Sequence, residues 1–356
     1  MSPSERDIRS DAASSQQNAG DDADASPASA FSSDADYSMT RTDELRELYD
    51  RKFYAPLQIL IKDYRGALGI SILLLYILMG TVGVAVVPIP NQDGPRMLPW
   101  FRDLAFPLGT DGTGKSLLRM IVHATPRMLQ MMLAGTIFSL AFSVGIGTLA
   151  GFKRGMTDRI LMTVTDTALN LPGLPLLLVL VAVLQPSNPM VIGIILSING
   201  WAGGARSLRS QVLQLRNADH VEASRAMGAS TGRNIQKNVL PELMPLIMIR
   251  LMTTLRSIIF AAVGLYFLGV LPTNDNNWGV MLNRSYQAVD FEPLTNVHYL
   301  MVPLLTISLF GIGTIFLAQA FDRVFNPRLR AKYAKTLSGG DKDDDADAAA
   351  SEAMLE

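Results

Sequence analysis

Residues 219–242 read DHVEASRAMGASTGRNIQKNVLPE. Three acidic and three basic side chains make the stretch polar, yet it lies between two long apolar segments, 171–201 and 243–271. A polar loop held between apolar segments of that length belongs at a membrane face. Its spacing predicts two short helices. Ala223, Ala226 and Met227 fall at i, i+3 and i+4 and form one small apolar face. Gly228 stands where the first helix must stop, because glycine accepts a left-handed conformation without strain. Ser230 or Thr231 can cap the next turn. Ile235 and Val239 form the second face, and Pro241 is expected to end the loop.

Outward from this loop the chain alternates between apolar and charged. Residues 67–87, 128–152, 167–205 and 299–321 carry no charge. About 20 apolar residues are needed to cross the hydrocarbon core of a bilayer as a helix. The run 167–205 is too long for one crossing and contains Gln185-Pro186-Ser187-Asn188-Pro189, so it divides into spans at 162–184 and 189–207. A further span at 243–270 carries Arg250 and Arg256. The expectation is an all-α integral membrane protein with six transmembrane helices. With the N-terminus in the cytosol, the inner segments hold 20 lysines and arginines and the outer segments 5. That asymmetry places both termini and loop 219–242 on the cytosolic side.

Bulk composition agrees weakly. Hydrophobic residues make up 49% of 356 and mean hydropathy is only +0.23, because polar tails dilute the spans. Residues 1–40 are rich in Ser, Ala and Asp, with eight acidic residues against two arginines, a composition that builds no packed core. They also lack the pattern of a signal peptide. Residues 41–66 form a mixed-charge cytosolic segment, 67–125 the first span and an outer loop, 126–330 a five-span core, and 331–356 an acidic tail expected to be disordered. A net charge of −1 gives no reason to expect nucleic acid as a partner. Cysteine is absent, which excludes disulfides and thiolate metal sites. His123, His220 and His298 are too scattered to suggest a metal centre.

Two words imitate nucleotide chemistry. Gly109–Ser116, GTDGTGKS, fits the P-loop pattern, but it follows WFRDLAFPL, a poor strand, and the charge asymmetry places it outside the cell. Leu337-Ser338-Gly339-Gly340 imitates an ATPase signature inside the acidic tail, with no domain around it. Polar side chains within the spans are the other candidates. Asp166, near the inner end of the third span, is followed by Asn170, and its expected partner is a basic residue at the cytosolic face; lining a pathway is the alternative. Arg250 and Arg256 must likewise face protein or water. Asn199 and Gln319 suit hydrogen bonds between helices, and Gly135, Gly145, Gly147 and Gly151 suit close helix packing. Met128, Met131 and Met132 are expected to pack rather than bind metal.

Glu222-Ala223-Ser224, then Arg225, Ala226 and Met227, then Gly228-Ala229, and later Leu240-Pro241, resemble the EAA loop of binding-protein-dependent ABC importer permeases. Ser224 and Asn238 depart from that pattern, standing where the family has Ala and Ile. Several further words are similar to the oligopeptide, dipeptide and nickel permease group: Trp201, Arg206 and Arg209 upstream, LGTDGTGKS at 108–116, TDRILMTVTDTALNLP at 157–172, YFLGV and NNWGVML within 266–282, and NPRLR at 326–330. The resemblance implies a MetI-like permease fold over roughly 60–330. It also implies a second homologous permease subunit, two cytosolic ABC ATPase subunits, an extracytoplasmic solute-binding protein and a surrounding lipid bilayer. ATP and Mg would be bound by the ATPase subunits, with no cofactor on this chain and no catalytic group. The implied cargo is a peptide, although relatives also carry nickel or oligosaccharides. Two rival classes are an ion-coupled secondary transporter, which needs a carboxylate relay and finds little beyond Asp166, and a membrane-anchored P-loop ATPase.

Overall fold

The computed structural model describes residues 60–271, 277–291 and 294–325. The expected acidic tail 1–40, most of the segment 41–66, the NPRLR word, the Leu337–Gly340 word and the tail 331–356 lie outside the described residues. Helix α1 is Tyr64–Val86, entered at Asp63, whose carboxylate accepts the Arg65 N–H, and it contains a π-turn at Met79–Gly83. After the segment 88–116 come α2 (Leu117–Lys153), α3 (Gly155–Asn170), α4 (Gly173–Leu184), α5 (Pro189–Ser197) and α6 (Gly200–Leu215). Then follow α7 (Asp219–Ala226), α8 (Thr231–Phe267) and α9 (Trp278–Ala288). A two-residue hairpin pairs β1 (Asp290–Phe291) antiparallel with β2 (Leu294–Thr295), with Asp290 opposite Thr295, and α10 is Val297–Phe325. Apart from that hairpin and two isolated bridges, the described residues are helix, turn and irregular backbone.

Helices α1, α2, α8 and α10 are long and apolar enough to cross a membrane, and the bent pair α3–α4 makes a fifth candidate. The expected spans 128–152 and 299–321 lie wholly within α2 and α10, while 67–87 and 243–270 run past the ends of α1 at Val86 and α8 at Phe267. The other two expected spans are not continuous helices. The stretch 162–184 breaks at Leu171-Pro172, and α3 and α4 meet at 85°. Proline has no N–H for the helical ladder and drives the residue before it out of the helical region; Leu171 accordingly has ψ 127°. The stretch 189–207 is interrupted at Ile198-Asn199, between α5 and α6. The two breaks meet: the Asn199 side-chain amide donates to the Leu171 carbonyl at 3.0 Å, recovering a backbone acceptor freed by the bend.

Helix α2 is the central element, packing along α5, α6 and α8, while α10 packs on α1 and α8. Between apolar helices in lipid the stabilising term is close packing rather than release of water. Glycine supplies the close approach: a Cβ at Gly135 would lie 2.3 Å from the Gly193 carbonyl oxygen, and one at Gly193 would lie 1.9 Å from that of Met131. Gly147 and Gly151 do the same against Ala205 and Val212 of α6. Gly145 does not, since nothing lies within 4 Å of the Cβ position; two residues from Gly147, it falls on the other side of α2. Met128, Met131 and Met132 are buried in the principal core with Ile192, Ile259 and Phe310. Tyr76 packs edge-on against both Trp278 and Phe310, at 5.4 and 5.3 Å between ring centroids.

Candidate coupling site

Helix α7 forms where its charges suit the helix dipole: Asp219 and Glu222 lie in the first turn and Arg225 in the last. It ends in a Schellman turn. The Ala229 N–H donates to the Ser224 carbonyl at 3.1 Å and the Gly228 N–H to that of Arg225 at 2.9 Å, with Gly228 at φ 82°. Ser230 then caps α8, its hydroxyl accepting the Arg233 N–H at 3.4 Å. The second helix of the loop is not a separate short element. It runs through a π-turn at Ile235–Val239 directly into the long apolar helix. Pro241 therefore starts the apolar part of α8 instead of ending the loop. A proline is tolerated in a first turn, and the π-turn shifts the ladder just ahead of its missing N–H.

One residue anchors α7. Val221 is fully buried in a cluster with Phe152 at the end of α2, Leu208 and Val212 of α6, and Val239, Leu243 and Ile247 of α8. Leu240 packs on the same cluster, while Pro241 is exposed. Around it, Arg225 stacks on the Phe152 ring at 5.0 Å, and Arg216 donates to the Phe152 carbonyl at 3.2 Å. Burial, with Arg154 and Arg225 nearby, pushes the Arg216 guanidinium below its ordinary range. His220 meets Glu242 at 3.0 Å, joining the start of α7 to α8. The Asn234 side chain, buried, donates to the Ala229 carbonyl and accepts from Asn238. On the opposite side Glu222, Ala223, Ala226, Met227 and Gly228 are exposed, Ser224 and Ala229 partly so. Met227 is 82% exposed, and a Cβ on Gly228 would touch nothing within 4 Å. The small apolar face of α7 thus points away from this chain.

The intramembrane candidates separate into paired and unpaired groups. Arg209 reaches both oxygens of Asp158 at 2.5 and 2.6 Å, and Arg206 pairs with Asp166, so two ion pairs join antiparallel α3 and α6. The Asn170 side chain donates to the Asp166 carbonyl at 2.8 Å, and Gln319 accepts from Arg65 at 2.8 Å. Arg250 and Arg256, both half-buried on α8, have no ion-pair partner among the described residues. Arg250 lies against Gly204 of α6, 3.6 Å from where a Cβ would be. Sequence reasoning missed Val221, Phe152, Asp158 and the His220–Glu242 pair. The lone β-branched residue among charges at 219–222 was the available signal for Val221.

The P-loop word folds differently from a phosphate cradle. Gly109 and Gly114 take φ 83° and 84°, and Asp111, buried, occupies the centre of the turn. One of its oxygens accepts the Thr113 N–H, the Thr113 hydroxyl and the Lys115 N–H, each at 2.8 Å. The N–H groups that an anion would need are committed to the chain's own carboxylate. Turns, not a strand, lead into the word, and Ser116 precedes α2 directly.

A family model described as "Binding-protein-dependent transport system inner membrane component" matches residues 143–331, from the last third of α2 through α10. The chain belongs to this family. Among its relatives, the dipeptide transport system permease protein DppC of Bacillus subtilis (strain 168) is 30% identical over 268 residues, covering 74% of this chain and 81% of the relative. The oligopeptide transport system permease protein OppC of the same organism is 28% identical over 271 residues, 74% and 85% of the two chains. The di/tripeptide transport system permease protein DppC of Pseudomonas aeruginosa (strain UCBPP-PA14) is 32% identical over 219 residues, 58% and 70%. The protein is thus an inner membrane permease component of the ABC importer type, and α7 with its turn is the part of this permease that carries the EAA-loop word.

Proposed function

We propose that this permease forms half of a pathway through which peptides, handed over by an extracytoplasmic binding protein, enter the cell at the expense of ATP hydrolysed by two partner ATPases. The names of the relatives support the peptide class. A second permease subunit completes the pathway, and no cofactor is held by this chain. In this reading the hairpin α3–α4 and α5–α6 provides the fifth and sixth crossings. Helices α4 and α5, with 12 and 9 residues, are too short to cross alone and need α3 and α6 to complete their paths. Both termini lie in the cytosol, on the side with the larger share of lysine and arginine.

The observation that carries the mechanism is the two-sidedness of α7. One side rests through Val221 on α2, α6 and α8 at once; the other exposes a smooth face of alanines, Met227 and Gly228 with Glu222 and Arg225 at its edges. A partner that seats on the outer face and moves displaces three membrane helices together. Alanine and glycine admit a close backbone approach, and the two charges fix orientation. The test is uptake of a radiolabelled dipeptide by proteoliposomes holding the full complex. Uptake should require ATP, persist with an uncoupler, and fall with Glu222→Lys while the permease stays in the membrane. ATP-independent, uncoupler-sensitive uptake would favour an ion-coupled carrier and defeat the proposal.

A further inference from the structure

The segment 88–116 carries an apolar tip. Phe101 is 82% exposed and Leu104 is 99% exposed, with Trp100 beside them. Phe101 is held at φ 58°, a left-handed conformation uncommon outside glycine. A strained turn with a bare aromatic ring is an odd feature to present to water, and a natural one where the ring meets hydrocarbon.

Under this tip runs a groove of about 610 Å³, walled by Leu75 and Met79 of α1 and by Val302, Leu305 and Leu309 of α10. Of its three hydroxyls, that of Tyr76 donates to the Thr306 carbonyl and that of Thr306 to the Val302 carbonyl, leaving Ser308 alone uncommitted. The groove thus offers an occupant almost no hydrogen bond, so a peptide backbone or a sugar would be desolvated there without compensation. Its walls continue into the exposed apolar surface of two membrane-spanning helices: Leu74 and Leu78 on α1, Leu304 and Ile312 on α10. Trp100 and Phe101 stand at its end with the exposed Arg102 next in the chain, the arrangement of an interfacial belt, where a ring meets acyl chains and a cation meets phosphate.

We propose that this groove holds one acyl chain of a phospholipid, drawn from the leaflet on the side of segment 88–116, and that Trp100 and Phe101 anchor the segment in that leaflet. The lipid then fills the space between α1 and α10 and fixes the height of the segment over the membrane.

The full transporter, reconstituted in bilayers of phospholipid brominated along the acyl chain, tests this by fluorescence. The signal is the difference between wild type and Trp100→Phe, which isolates one indole from all others in the complex. Most of that Trp100-dependent emission should be lost with chains brominated near the headgroup end. A phospholipid with a photoreactive acyl chain should cross-link to peptides containing residues 75–79 and 302–309. Ser308→Phe, which fills the groove from α10, should reduce this labelling severalfold in complexes that still assemble. Unquenched Trp100 emission would overturn the proposal, as would lipid labelling unchanged by Ser308→Phe; either result would leave the groove to another protein subunit or to water. A complex that lost uptake but kept the quenching would leave this inference standing, since it depends on the bilayer and not on the cargo.

Discussion

Loop 219–242 and loop 109–116 are both polar turns set against membrane helices, and both place a glycine near φ 83°: Gly228 in one, Gly109 and Gly114 in the other. They differ in where their polar groups point. In 109–116 the carboxylate of Asp111 turns inward and takes up the N–H groups of Thr113 and Lys115, so the turn is complete in itself. In 219–242 Val221, Asn234 and Val239 turn inward, Arg225 lies over the Phe152 ring, and the charge of Glu222 and the apolar face of Ala226 and Met227 are left outside. A self-satisfied turn is a structural part. A turn that is anchored on one side and bare on the other is built to be met. The P-loop word and the EAA word are about equally visible as strings, and the direction of their side chains tells them apart.

The largest expected effect comes from turning Val221 against its role. Val221→Asp buries an unpaired carboxylate in a fully closed cluster, at a cost of several kcal/mol, so α7 should leave its seat. ATP-driven uptake should fall by at least about tenfold and the ATPases should no longer co-purify, while the permease stays membrane-inserted. Normal assembly would show that α7 needs no anchor. Next in size is Asp111→Ala. It strips the acceptor from three donors, at about 1–3 kcal/mol for each that stays buried. Limited proteolysis of the assembled transporter should then cut within 88–116, with ATP binding unchanged. Gly228→Val is smaller: a β-branched residue at positive φ costs about 1–2 kcal/mol or more. The Cβ has free space in this chain, so the penalty is conformational here, with any clash falling on the partner. Uptake per ATP hydrolysed should drop while insertion is unchanged. The smallest effect is Lys115→Ala, for which nucleotide binding by the complex should equal wild type; a loss would mean that the turn does hold phosphate.

Much of this was legible in the sequence where the physics is local. Three of the four uncharged runs became long helices, and the run carrying Arg250 and Arg256 became a fourth, because a continuous helix needs nothing beyond its own residues to satisfy its backbone. Gly228 announced its turn, and Ser230, one of two candidates beside Thr231, its cap. What failed was tertiary. The span expected at 162–184 bends by 85° at its Leu171-Pro172 step, because an uncharged composition does not report where a proline turns the chain. The Asp158–Arg209 pair joins residues 51 apart, and no periodicity reports such a contact. Gly145 and Gly147 lie on opposite sides of α2 by their two-residue spacing, and only the packing of α6 shows which side is used.

The most direct test of the central claim uses the absence of native cysteine. Met227→Cys, on the bare face of α7, and Thr113→Cys, on the self-satisfied turn, are each placed in the full transporter and treated with a short bifunctional thiol reagent. The account predicts that Met227→Cys cross-links to an ATPase subunit, in a yield that changes between nucleotide-free and ATP-bound complexes, and that Thr113→Cys gives no ATPase adduct. Absence of a Met227→Cys adduct in an assembled, transporting complex would contradict it, and so would labelling of that cysteine from outside intact cells by an impermeant thiol reagent.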